Sequence, residues 1–325
     1  MRYYDILITD PVGGAPPIHI SSLNDDGSTN PNARSIDLDI PVGPMHSPQS
    51  GAYVRIWGVA ISDISQSQQL NDRHIVVSGG MAKGLPLAVP SQRGVLVEGK
   101  IYQAFGNWLG TQQSLDIVIY PDVGTYDKPT QILFNWKAGQ QLSDAVTASI
   151  GLAFPGASVT NSGICPSLAI SQNQIGVFGS LRQLAEYVQK KSSAMAPPTT
   201  SGASYSGLQI CSSGSGFRLI DNYGSASNPV NLLFTDLIGQ PTWIDLVTIQ
   251  ISTVMRGDIS VGDYLMMPPS QLTTSPASGS RFRQQSIFSG LVQVIGKGLI
   301  RHVGSFRQPD AMSWITTINA VVQNV

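Results

Sequence analysis

The sequence predicts a mainly β protein with an α/β insert, and three observations lead there. Only Glu98 and Glu186 are glutamates among its 20 acidic residues, while 33 Gly and 21 Pro interrupt the 325 positions, a composition poor in long helices and rich in turns. Short runs of alternating apolar and polar residues fill both ends of the chain, the period of half-buried strands. Between them, from residue 126 to about 205, the apolar period lengthens to that of helices.

The first run, "MRYYDILITDP", reads as a strand. In "ARSIDLDIPV", Ile36, Leu38 and Ile40 alternate with Asp37 and Asp39, and "AYVRIWGVAIS" sets Tyr53, Arg55 and Trp57 on one side with Val54 and Ile56 on the other. "RHIVVSGG", "GVLVEGKIYQAF" and "SLDIVIYPD" add three more strands. Turn clusters such as "NDDGSTNPN" and "VGPMHSPQSG" separate them, which predicts a barrel or sandwich up to about residue 125. Asp25–Asp26–Gly27 belongs to one such turn; a calcium loop would need a downstream Glu that is missing.

In "QLSDAVTASIGLAFPG", Leu142, Ala145, Val146, Ser149, Ile150 and Ala153 recur on one helix face, and Pro155–Gly156 stops the run. The second helix, "SLRQLAEYVQKKSSAM", opens with Ser180 three residues before Gln183, the spacing of a capping box. Leu181, Leu184, Ala185 and Val188 form its apolar stripe. Glu186 precedes Lys190 by four, and Lys190–Lys191 lie near the negative end of the helix dipole. Strand candidates "TQILFNW", "PSLAISQ" and "GLQICSS" place both helices on one side of a small sheet, closed by the flexible stretch "APPTTSGASYSG". From Phe217 the strand period returns in "WIDLVTIQIST", "DYLMMP", "IFSGLVQVIG" and "SWITTINAVV", with "PSQLTTSPASGS" as a long mobile loop.

Charged residues are only 12% of the chain, against about 25% in ordinary soluble proteins, and the net charge is −1. A surface so poor in ions is expected to be covered, by a membrane or by neighbouring subunits. No run approaches the roughly 18 consecutive apolar residues of a spanning helix, and the N-terminus lacks the features of a signal peptide, so a cytoplasmic chain without a membrane partner is expected. Cys165 and Cys211 are too few for a disulfide framework and read as buried thiols. With no basic tract, sequence-specific nucleic-acid binding is not expected.

Catalytic signatures are missing. No G-x-S-x-G, S-x-x-K, HExxH, P-loop or GxGxxG occurs, and His19, His46, His74 and His302 lie far apart, so neither a metal nor a cofactor is expected. A glycosidase pair would have to be built almost entirely from Asp. Arg256–Gly257–Asp258 could suggest an adhesion signal, but the residues around it read as an extended stretch, a Gly262–Asp263 turn and a strand. At the end of the chain, Trp314, Thr316, Ile318, Ala320 and Val322 share one strand face, and "RQPDAM" has the signature of a turn. His302 and Arg307 then sit at a hairpin tip, as hydrogen-bonders of a hairpin or an interface and not as catalysts.

This closing run, "MRGDISVGDYLMMP…FSGLVQVIGKGLIRHVGSFRQPDAMSWITTINA", resembles the C-terminal part of baseplate hub proteins of contractile-tailed bacteriophages. There a strand entering a V-G-D turn is followed by an H-x-G-x-x-R hairpin and a W-x-T strand. Gly262, Asp263, His302, Gly304, Arg307, Trp314 and Thr316 fit that pattern. "VLVEGKIYQAFGNWLGTQQSLDIVIYP" is similar to the end of the family's first barrel, and "FNWKAGQQLSDAVTASIGLAFPG" to the start of its α/β insert. The first fifty residues and the loop at 269–280 have no such counterpart.

The resemblance implies two tube-forming β-barrel domains, residues 1–125 and 207–325, flanking a two-helix α/β domain at 126–206. It also implies a homotrimeric, pseudo-sixfold ring in the virion tail baseplate, assembled in the host bacterial cytoplasm. Such a ring would join the tail tube, or a tube-initiator ring, to the central spike protein, with tape-measure and baseplate wedge proteins as further partners and a near-neutral channel for DNA ejection. It implies no enzyme activity. Two other readings compete: a tail-tip peptidoglycan hydrolase and a β-rich carbohydrate-binding module.

Overall fold

The computed structural model describes residues 1–47, 51–83, 89–121, 131–195, 197–199, 204–213, 216–224, 228–245, 247–268, 275–276, 290–296, 299–306 and 313–323. A first strand group contains β1 (Arg2–Thr9), β2 (Ile18–Ser21), β3 (Ile36–Val42), β4 (Ala52–Trp57), β5 (His74–Met81), β6 (Gly94–Leu109) and β7 (Gln112–Pro121), with a short helix α1 (Ile61–Ser65) after β4. The insert follows as β8 (Ile132–Trp136), α2 (Leu142–Ala153), β9 (Val159–Ser162), β10 (Gln174–Phe178), α3 (Leu181–Met195), β11 (Gln209–Ser213) and β12 (Gly216–Ile220). The last group holds β13 (Val230–Asn231), β14 (Thr242–Trp243), β15 (Thr248–Val254), β16 (Tyr264–Met266), β17 (Ser275–Pro276), β18 (Leu291–Gln293), β19 (Ile300–Ser305) and β20 (Trp314–Val322).

The predicted alternation appears as burial. Ile36, Leu38 and Ile40 of β3 and Ala52, Val54 and Ile56 of β4 face inward, while the residues between them are half-buried. Three apolar cores result. Tyr4, Ile6, Val54, Val77 and Ile117 belong to the first, Phe134, Trp136, Val146, Leu184 and Phe217 to the second, and Trp243, Ile251, Leu265, Val292 and Ile318 to the third.

The two strand groups are not separate rings. They form one 15-stranded sheet whose main path runs β13-β16-β18-β20-β19-β3-β4-β7-β6-β5-β1-β2. The path is open among the described residues, where two closed barrels were expected. Its cause is local: β19 pairs antiparallel with β3, from Ile300 opposite Val42 to Ser305 opposite Asp37, and so occupies the edge by which β3 would return to β2.

Several elements depart from the sequence reading. Two small sheets, β8–β10 and β9–β12–β11, replace the single small sheet of the insert. "PSLAISQ" contributes only an isolated bridge, Ala169 to Gln141. "WIDLVTIQIST" is broken into β14 and β15 because the Asp245 carboxylate accepts the N–H groups of Val247 and Thr248 at 2.9 and 2.7 Å and turns the chain. At the start of α3, Ser180 Oγ accepts the Gln183 N–H at 3.3 Å, but Gln183 Oε1 reaches past Ser180 to the N–H of Gly179 at 2.9 Å, so the box is offset by one residue. Glu186 pairs with Arg182 at 3.1 Å on the preceding turn, and the helix continues to Met195, which leaves Lys190–Lys191 short of its last turn. The 269–280 loop, apart from Ser275–Pro276, and the turn at 307–312 lie outside the described residues.

Candidate functional site

The residues singled out near the C-terminus meet where the two strand groups join. In the β19–β20 ladder, His302 lies opposite Thr316 and Gly304 opposite Trp314; across the other edge of β19 the same residues face Ile40 and Leu38 of β3. His302 is therefore inside a ladder and buried, not at a hairpin tip. Its Nδ1 is 2.9 Å from Thr316 Oγ1, which accepts the Arg256 N–H at 3.1 Å and donates to the Arg256 carbonyl at 3.3 Å. The Thr hydroxyl has one proton, so the shared imidazole hydrogen belongs on Nδ1. Burial pushes the His302 pKa down to about 3. A buried imidazole with its pKa so far below neutrality is a weak base, poorly matched to general acid–base work near neutral pH.

Gly304 is dictated by its cross-strand neighbour. A Cβ there would fall 2.7 Å from two ring carbons of Trp314 and 3.0 Å from Met255 Cε. The Trp314 ring crosses the seam: its Nε1 donates to the Gly80 carbonyl at 2.8 Å, and the ring packs with Met255 into the core of the first strand group. Phe306 meets Trp314 edge-on at 6.2 Å and Tyr4 at 5.1 Å. Arg2 completes the contact by donating to the Ser305 carbonyl at 2.6 Å and to Ser313 Oγ at 2.7 Å. On the outer surface, Arg301 makes a bidentate pair with Asp39 at 2.8 and 2.5 Å.

Gly262 and Asp263 lie elsewhere on the second group. Gly262 has φ +100°, donates to the Val294 carbonyl at 2.7 Å, and has no room for a Cβ, which would sit 2.8 Å from Ile220. Asp263 accepts the Ser260 N–H at 2.8 Å and an Arg218 guanidinium N–H at 3.0 Å, tying this turn to β12. Arg307 lies outside the described residues. A cavity of about 320 Å³ runs along the seam, with His302, Glu98, Arg218 and Ser260 in its wall. Its ionic groups are engaged: Glu98 with His74 at 3.3 Å and Arg218 with Asp263. Among the described residues, no group of three or more His, Cys, Asp or Glu side chains could hold a metal ion.

No protein-family profile matches the chain, and no curated protein matches it by sequence. Solved structures do match. The 43 kDa tail protein of prophage MuSo2 from Shewanella oneidensis aligns with a TM-score of 0.50 at 7% identity, covering 99% of this chain and 97% of that one. A tail protein from Neisseria meningitidis MC58 aligns with a TM-score of 0.50 at 9% identity, over 98% and 96% of the two chains. The chain has the fold of phage tail proteins. An Escherichia coli component of the type VI secretion system, described as similar in structure to the bacteriophage T4 tail proteins gp27 and gp5, also aligns with a TM-score of 0.50 at 7% identity, over 89% of this chain and 73% of that one.

Within this tail-protein fold the H-x-G and W-x-T residues form one packed ladder, whereas Gly262 and Asp263 serve a separate turn. Sequence reasoning missed the seam partners Arg2, Gly80 and Met255. Arg2 and Gly80 lie in the first strand group, more than 200 residues away from Trp314 along the chain, and no local pattern announces such contacts.

Proposed function

We propose that the chain is a structural baseplate hub protein of a contractile phage tail or a related injection machine. In this reading residues 1–125 and 207–325 are two tube-type units flanking an α/β unit at 126–206. Three copies form a pseudo-sixfold ring between the tail tube, or its initiator ring, and the central spike. The observation that carries the reading is the tail-protein fold along the whole chain, joined to a plan of strand group, helical insert and strand group. The low charge supports it, since ring neighbours in obligate contacts of about 2,000 Å² or more would cover a surface that lacks an ionic coat. His302, Gly304, Trp314 and Thr316 act in it as the packed joint between the units, and Gly262 and Asp263 as the turn that anchors the insert. Tape-measure and wedge proteins are the further partners of such a ring.

Mass measurement by light scattering, with and without the spike protein, tests the assignment. The expected result is a trimer, alone or once the spike is added. A monomer under both conditions overturns the ring. Incubation with purified peptidoglycan is expected to release no fragments, and release abolished by Asp or His substitutions would replace the hub with a hydrolase.

A further inference from the structure

We infer that the Arg256–Gly257–Asp258 tripeptide is a clamp that fixes the setting of the two strand groups relative to one another. The Arg256 side chain is 2% exposed, so the tripeptide cannot offer its guanidinium to a receptor in the manner of an adhesion signal. Nε and Nη2 instead bind the Asp258 carboxylate at 2.7 and 2.6 Å, and Nη1 binds Asp236 at 3.3 Å. Asp236 is itself buried and is held by the Leu233 N–H at 3.0 Å and by Gln92 Nε2 at 3.1 Å. Gln92 belongs to the first strand group and grips twice, because its carbonyl also accepts the Gly257 N–H at 2.9 Å. The two backbones touch at this point. A Cβ on Gly94 would lie 2.4 Å from the Gly257 oxygen, and a Cβ on Gly257 would lie 2.6 Å from the Gly94 carbonyl, so both positions require glycine.

The mechanical argument follows from where this contact lies. The β3–β19 ladder is a single strand pair, and a single line of hydrogen bonds acts as a hinge about which two bodies rock. The 92–94 to 256–258 contact is a further connection off that line, and the seam cavity, walled by residues of the ladder and of this contact, lies between them. A connection set across a gap from the ladder has the leverage to oppose rocking, and it adds to what the Trp314–Gly80 and Arg2–Ser305 contacts beside the ladder already resist. Burial of the ions strengthens this, since loss of one member strands charge away from water. The inference does not depend on the hub reading, since it concerns one chain alone.

The test uses the full chain carrying spin labels at Thr111→Cys and Asn231→Cys, exposed positions in the first and last groups; the native cysteines are buried. Inter-label distance distributions are compared with amide exchange in each core. In Arg256→Met and Gly94→Ala the distribution is expected to broaden roughly twofold or more while protection within β1, β5, β15 and β20 is retained. Asp258→Asn, which leaves the Asp236 contact, is expected to broaden it less. Distributions as narrow as the parent's in both Arg256→Met and Gly94→Ala would overturn the clamp. If Arg256→Met does not fold, Gly94→Ala decides, because it separates the segments without touching a charge; loss of protection in both cores of that variant would also overturn the clamp, making the segment a folding determinant.

Discussion

Gly304→Ala probes the joint at its tightest point. The new methyl carbon would stand 2.7 Å from Trp314 Cε3 and Cζ3 and 3.0 Å from Met255 Cε. Carbon atoms in contact prefer about 3.5–4.0 Å, so the ring has to retreat by roughly 1 Å. Overpacking of this kind costs about 1–3 kcal/mol. A ring displaced that far also loses its hydrogen bond to the Gly80 carbonyl, now 2.8 Å, at a further cost of about 1 kcal/mol. The expected destabilisation is therefore about 2–4 kcal/mol, read as a fall in the urea midpoint at unchanged slope. A double-mutant cycle with Trp314→Leu isolates the cause, because the alanine should cost little once the ring is gone. A cost below about 0.5 kcal/mol in the parent, or an equal cost in both backgrounds, would refute the argument.

Two further outcomes follow from burial. His302 stays neutral to about pH 3 in the folded chain, whereas a free imidazole takes up its proton near pH 6.5. Its folded pKa is thus depressed and the unfolded state binds the extra proton between these limits. Stability is therefore intact above pH 6.5 and falls on acidification by up to about 1.4 kcal/mol per pH unit; urea melts of His302→Asn should lose this part of the slope, and an unchanged slope would show that His302 does not set it. Burial also pushes the Cys211 thiol up to about 12, and Cys165 is buried, so a disulfide thiol reagent should find no reactive cysteine in the folded protein and both after denaturation. One equivalent released from folded protein would contradict the burial of Cys165 or of Cys211.

Elements with a periodic apolar face were legible. Ile36, Leu38 and Ile40, and the stripe Leu181, Leu184, Ala185 and Val188, were readable because burial of one face repeats at the spacing of the backbone itself. "PSLAISQ" misled because its alternation is too short to outweigh the turn chemistry of Pro and Ser. The joint was legible only by halves. Its motif residues drew notice as polar or aromatic groups within strands, but which partners they meet is set by the β3–β19 pairing, between segments that no sequence period connects. For the same reason two rings were expected and one open path was found: strand alternation fixes which face is inward and is silent on which edge is shared.

That shared edge has a consequence for biosynthesis. Ile300–Ser305 can add to Ile36–Val42 only after the intervening chain has left the ribosome. At about 5–20 residues per second, the nascent N-terminal portion waits roughly 13–50 s with one sheet margin unpaired and without the Met255 and Trp314 side chains that complete its interior. Such long-separated pairing slows folding and leaves a sticky flank on offer meanwhile. The newborn chain is therefore most vulnerable to aggregation until Ile300–Ser305 emerges and pairs with it.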